Sequence, residues 1–118
     1  MLKLLEDMKH FYVVTGRTDM RKQIDGLAAV IQITFKEDLA EGSLFLFCGG
    51  KKDRFKALFW DGTGYVLMYK RLVESKFQWP RNQQELKQIS PQQFRWLMEG
   101  LSIYQDRSIK TSDRKDLF

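Results

Sequence analysis

From residue 43 to residue 71 the chain alternates between apolar runs and short polar breaks, SLFLFCGGKKDRFKALFWDGTGYVLMYKR. Residues 44–48 form an unbroken apolar run rich in Phe and Leu. Over 54–60 the period is two: Phe55, Ala57 and Phe59 face one way, Lys56, Leu58 and Trp60 the other. Over 65–70, Tyr65, Leu67 and Tyr69 share one face and Val66 and Met68 the opposite one. The pattern predicts three strands in a meander. The break at 61–64 contains Asp61-Gly62, a strong hairpin signal because Gly accepts a positive φ without strain. The break at 49–53 carries Lys51 and Lys52.

The flanks follow other periods. Residues 10–14 (HFYVV) are β-branched and aromatic and predict a strand. Residues 15–19 read as a turn that supplies cap residues for a helix. Over 20–35, Ile24, Leu27, Ala28, Ile31, Thr34 and Phe35 recur at helical spacing and predict an amphipathic helix of about four turns. Gly26 inside it costs about 1 kcal/mol against Ala, which a close approach to the sheet would explain. An acidic loop follows at 36–42. Pro80 ends any strand in 72–80. Residues 86–89 predict a short strand. Ser90-Pro91-Gln92-Gln93 combines an N-cap Ser, a Pro at the first helical position and a Gln placed for a capping box. Phe94, Leu97, Met98 and Leu101 continue that helix to about Gly100.

These elements predict an α+β fold. It has an antiparallel sheet of three to five strands, one long helix on a face, and a second, C-terminal helix near an edge or end. Residues 1–105 read as one domain and the polar stretch 106–118 as a disordered tail.

Composition adds a direction. With 118 residues, 43% of them apolar, the chain is long enough for one real core. The net charge of +5 and the pI of about 9.4 favour acidic partners, nucleic acid before anionic membrane. The single Cys48 allows no internal disulfide, and no apolar run approaches the ~20 residues of a membrane span. A cytoplasmic protein without a signal peptide is the expectation.

The candidate chemistry is basic. Lys51, Lys52, Arg54 and Lys56 cluster around Asp53, and Lys70 and Arg71 end the paired strand. Lys76 and Arg81 follow. Arg21 and Lys22, with Arg17, open the first helix. Lysines at a hairpin tip beside a sheet suit the phosphates of a duplex; a solvated turn that keeps an edge unpaired is the plainer alternative. Phe45, Phe47, Phe59, Trp60, Tyr65 and Tyr69 would stack bases if exposed, but they read better as core. Gly49-Gly50-Lys51-Lys52 is no phosphate loop, because Lys52 stands where a Ser or Thr is needed and a strand follows. Asp19, Asp25, Asp53, Asp61 and Glu74 each have a role in a cap, a turn or a surface. One His and one Cys build no zinc site. No catalytic residue, metal or cofactor is expected.

Several linked motifs carry a resemblance. They are Asp19-Met20-Arg21-Lys22-x-Ile24-Asp25-Gly26-Leu27, Leu44-Phe45-x-Phe47, Lys52-Asp53-Arg54-x-Lys56-x-Leu58-x-Trp60-Asp61-x-x-Gly64-Tyr65, Tyr69-Lys70-Arg71-Leu72 and Phe77-x-Trp79-Pro80. Over residues 8–101 the chain resembles the TnpB-type, second-reading-frame accessory proteins of insertion-sequence-66 elements. The resemblance implies a bacterial accessory factor of DNA transposition, encoded beside a separate DDE-type transposase that does the cutting and joining. It implies no catalytic residues. Gly49-Gly50 departs from relatives, which often place Asn or Arg there. The resemblance implies no particular DNA contact; the basic charge adds the expectation that the protein binds double-stranded DNA at element ends. Phosphate contacts would come from Lys51, Lys52, Arg54, Lys56, Lys70, Arg71, Arg21 and Lys22. The alternative is a subunit that docks on the transposase and touches DNA little; a metal nuclease is a remote third.

Overall fold

The structure, a computed structural model, describes residues 5–81 and 83–105. The predicted tail, 106–118, lies outside the described residues. Strands β1 (His10–Val14), β2 (Ser43–Cys48), β3 (Arg54–Trp60), β4 (Tyr65–Arg71) and β5 (Leu86–Ile89) form one sheet in the order β4-β3-β2-β1-β5. The meander is there: β2 with β3 and β3 with β4 are antiparallel.

The sheet is mixed, not antiparallel throughout. β1 and β2 pair in parallel, Val13 opposite Leu46, while β1 and β5 are antiparallel. The cause is the helical stretch between them: a chain that leaves β1, crosses one face as a helix and returns beside it runs in the same direction again. The central β2 is buried at every position, as a strand covered on both faces requires.

The first helix is shorter than its periodicity predicts. The α-helix α1 covers Ile24–Ala29, and Val30–Thr34 continue it as a π-helical turn. Residues 20–23 stay outside for two reasons. The Asp19 carboxylate accepts the Arg21 backbone N–H at 2.9 Å. The buried Lys56 ammonium takes the carbonyls of Met20 and Lys22, at 2.9 and 2.7 Å, which a helix starting at Met20 would need for its own bonds. The 15–19 turn caps nothing: the N-cap is Gln23, with no side-chain capping bond. The atoms nearest a Cβ at Gly26 belong not to the sheet but to the Lys22 side chain, at 3.3 Å.

The second helix, α2 (Pro91–Met98), starts as its sequence predicts. Ser90 Oγ accepts the Gln93 N–H at 3.0 Å and Gln93 Oε1 accepts the Ser90 N–H at 2.9 Å. It packs near the β5 side on the face opposite α1, where Phe94 stacks on Phe11 with centroids 4.6 Å apart.

Alternation along the strands thus feeds two cores. Phe11, Val13, Leu44, Leu46, Phe55, Ala57 and Phe59 meet Phe94, Leu97, Phe77 and Trp79 on one face. Val14, Phe45, Phe47 and Leu58 meet Leu27, Ala28 and Ile31 on the other. Trp60 is half-buried, and Tyr65 and Tyr69 are exposed, because β4 is an edge strand that α1 only partly covers. Among the described residues no helix is long and apolar enough to cross a membrane.

Candidate nucleic-acid interface

Parallel pairing of β1 and β2 puts their carboxyl ends at one end of the sheet. The start of β3, the end of β4 and the start of β5 lie at that end too. Three segments far apart in sequence therefore meet: 15–23, 49–53 and 72–85. Backbone bonds fasten them together. Thr18 N–H donates to the Cys48 carbonyl at 2.8 Å, Gly16 N–H to Pro80 at 2.8 Å, Phe77 N–H to Lys52 at 2.7 Å and Leu72 N–H to Asp53 at 2.6 Å. Lys52 sits in the left-handed region, φ +60°, so the β2–β3 turn is tight. A Cβ on Gly49 would lie 2.8 Å from Met20 Cγ, so a larger residue there requires the Met20 side chain to shift.

The turn is accordingly not a free hairpin tip but the floor between two walls. On one side is a cleft of about 430 Å³ lined by Arg17, Thr18, Asp19, Arg21, Lys51 and Arg54 among others. On the other is one of about 250 Å³ lined by Arg17, Lys52, Trp79 and Arg81, and both share Gly49 and Gly50. A third, about 410 Å³, continues past Lys52 and Arg81 to Lys76 and Tyr104. The linings hold Arg17, Arg21, Lys51, Lys52, Arg54, Lys76 and Arg81 against one carboxylate, Asp19. The opposite end of the sheet has the reverse character, with Asp7, Glu41 and Asp61 around Lys9.

The expected phosphate ligands divide into groups. Lys51, Lys52, Arg54 and Arg21 line the clefts. Two of them are already paired. Arg21 Nη2 meets Asp19 at 2.7 Å and Arg54 Nε meets Asp53 at 2.9 Å. The arginines lower both carboxyls, Asp19 well below the usual carboxylate range. Arg54 also reaches the Tyr69 hydroxyl at 3.5 Å. Arg71 stands opposite Arg54 across the β3–β4 ladder, and Lys70, one residue earlier, points to the other face beside Phe55. Lys22 is exposed and packs over Gly26.

Lys56 does not belong to the interface. It is only 4% exposed, its ammonium bonds two carbonyls, and it lies 5.5 Å from the Tyr69 ring centre. Burial lowers its pKa from the ordinary lysine value. Its charge serves the 20–22 loop, where no phosphate reaches it. Among the aromatics, Phe45, Phe47 and Phe59 are core, whereas Tyr65 and Tyr69, expected as core, are exposed on the edge strand, so any stacking surface of the meander is confined to β4.

Arg17, Lys76 and Arg81 are the residues whose place the local pattern does not reveal. Their signal is topological. The carboxyl ends of adjacent parallel strands are where open α/β sheets bind ligands, and an antiparallel reading of β1 hides that end. Cys48 is inert at this end: it is buried, and burial pushes its thiol up to about 12. Among the described residues no group of three or more His, Cys, Asp or Glu side chains could hold a metal ion.

The family model described as IS66 Orf2 like protein matches residues 9–108. The chain belongs to the IS66 Orf2-like family. The match reaches past Leu101, where the resemblance read from the sequence ends. Relatives are found in Sinorhizobium fredii (strain NBRC 101917 / NGR234). The uncharacterized protein y4hO is 36% identical over 90 residues, covering 76% of this chain and 78% of its own length. The uncharacterized protein y4jC is 33% identical over 89 residues, covering 75% of this chain and 76% of its own. No solved structure matches the chain. The IS66 Orf2-like family is associated with transposition of insertion sequences as an accessory, non-catalytic component.

Proposed function

We propose that this chain is a non-catalytic transposition factor that binds double-stranded DNA through the basic end of its sheet. One observation carries the reading. Seven cationic side chains line three adjoining clefts at that end, and the two carboxylates beside them, Asp19 and Asp53, are paired with Arg21 and Arg54. Lysines and arginines on rigid, hydrogen-bonded loops neutralise phosphates without reading bases. The acidic far end orients the molecule, so that the basic end meets a polyanion first. With four to six phosphates neutralised, log affinity falls against log salt with a slope of about −4 to −5. Fluorescence anisotropy of the pure protein with labelled duplexes over a salt series tests this. The Lys51→Glu/Lys52→Glu double variant binds all duplexes more weakly and with a shallower slope. A wild-type protein that binds no duplex at low salt overturns the reading.

A second reading, docking on the transposase, has its own support. β4 is an edge strand, and Tyr65 and Tyr69 on it and Val73 just beyond it are exposed, Val73 at 96%. Loss of transposase pull-down in Tyr69→Glu, with duplex affinity retained, favours docking as a separate role of that edge.

A further inference from the structure

The clefts beside the Gly49-Gly50 turn are concave, and a duplex is convex. A double helix lies across such a rim and touches it with phosphates along one side. An unpaired nucleotide swings away from the helix and carries its own phosphate and base face into a recess. The larger cleft, about 430 Å³, falls within the range of small-ligand pockets, roughly 300–1,000 Å³. The smaller one, about 250 Å³, is below that range by itself but opens from the same Arg17, Gly49 and Gly50, so the two form one continuous depression.

The shared floor has no side chain. The atoms nearest a Cβ on Gly50 would be Arg17 Cδ at 3.5 Å and Nη1 at 3.8 Å, so that arginine bounds the space above the turn. Among the described residues, Arg17, Lys51, Lys52 and Arg81 enter no salt bridge. Trp79 supplies an apolar wall to the smaller cleft. It is held in place by its indole N–H, which donates to the Val14 carbonyl at 2.9 Å, and by Phe77 edge-on to it. Thr18, in the lining of the larger cleft, has a buried hydroxyl with no hydrogen-bond partner. This is a recess with cations on its walls, an open floor and one apolar side, which is what a nucleotide needs.

We infer that the two adjoining clefts that share Arg17 and the Gly49-Gly50 turn, one bounded by Thr18 and Lys51 and the other by Trp79, take single-stranded terminal nucleotides of DNA, so that the protein prefers an overhanging end to continuous duplex. The inference rests on the reading that the basic end binds DNA. The test compares a linear duplex carrying a short 5′-phosphorylated single-stranded overhang with a covalently closed circle of the same sequence, at one salt concentration. Wild-type protein binds the overhang about tenfold more tightly. In Gly50→Val, whose side chain occupies the recess, that ratio falls to about one. Gly50 has no positive φ, and its surroundings are at ordinary contact distance. If Gly50→Val does not fold, Arg17→Ala replaces it, because Arg17 is exposed. Equal wild-type affinity for both DNAs overturns this inference and leaves the duplex reading standing. Failure to bind either DNA overturns both. An overhang preference that survives in Gly50→Val and in Arg17→Ala places the end site elsewhere and overturns the inference. Submicromolar binding of a free mononucleotide without overhang preference does so as well.

Discussion

The Lys56 ammonium donates to the Lys22 carbonyl at 2.7 Å, across 34 residues of sequence and under the first helix. The bond, with its twin to Met20 at 2.9 Å, fastens the segment that forms one wall of the basic end to the middle of the sheet. A lysine that alternation places on a strand face is thereby a fold residue, and among the described residues it is the one buried lysine.

Lys56→Met removes the donor and leaves two carbonyls without it. The cost is about 2–4 kcal/mol, because hydrogen bonds from charged groups are worth about 1.5–3 kcal/mol each and part of the loss is recovered by apolar packing. Thermal unfolding shows a fall of about 10 °C or more. The salt slope of duplex binding stays as in wild type, because the charge never faced DNA. An unchanged melting temperature would show that the two carbonyls find other donors.

Leu27→Asp tests the α1 face. Leu27 is fully buried against Phe45, Phe47 and Leu58, and a carboxylate there costs several kcal/mol, against a total stability of about 5–15 kcal/mol for a domain. Circular dichroism and analytical gel filtration should find the variant unfolded or aggregated. A soluble variant with a cooperative melt would refute the packing of α1 on this face.

What the sequence makes legible and what it hides divide along one line. Local chemistry is readable: the Asp61-Gly62 turn, the Ser90–Gln93 capping box and the two-residue period of 54–60 all appear in place. Contacts between distant segments are not. Nothing within 20–23 says that Lys56 will capture its carbonyls, so periodicity extends the helix too far. Nothing within 10–14 says that this strand runs parallel to β2, so the assembled basic end stays hidden. Lys51 and Lys52 are visible as a pair of charges, whereas their neighbours Arg17 and Arg81 arrive from loops about thirty residues away on either side. Of the expected ligands, the turn lysines were the ones least dependent on tertiary structure.

Asp61 gives a pH test. Its carboxylate accepts the N–H groups of Thr63 and Gly64, at 2.9 Å each, and the Thr63 hydroxyl at 3.0 Å. These bonds lower its pKa below the ordinary 3.8. A group with a depressed native pKa adds stability above its unfolded value, and that contribution is lost as pH falls through the native one. Asp61→Asn, which keeps an acceptor oxygen but not the charge, therefore melts slightly below wild type at neutral pH. The two converge in acid, once the pH has fallen far enough below the ordinary 3.8 to protonate the wild-type carboxyl. A gap that persists unchanged into acid would mean that the charge is irrelevant and that the turn depends on side-chain shape.

The last prediction concerns the two carboxylates at the basic end. Asp19 pairs with Arg21 and Asp53 with Arg54, so these arginines present less charge to a polyanion than Lys51, Lys52 or Arg81 do. Replacing either acid by its amide frees one guanidinium while leaving the neighbouring backbone bonds, including Leu72 N–H to the Asp53 carbonyl, in place. Each released cation that then meets a phosphate steepens the salt slope by up to about 0.9. Asp19→Asn and Asp53→Asn therefore bind duplex more tightly at low salt, and the double variant exceeds either alone. Affinity series in rising salt measure the slopes directly. If both single variants bind more weakly, the carboxylates orient their arginines for phosphate contact instead of competing for them. If neither changes, Arg21 and Arg54 lie outside the footprint, and binding rests on Arg17, Lys51, Lys52, Lys76 and Arg81.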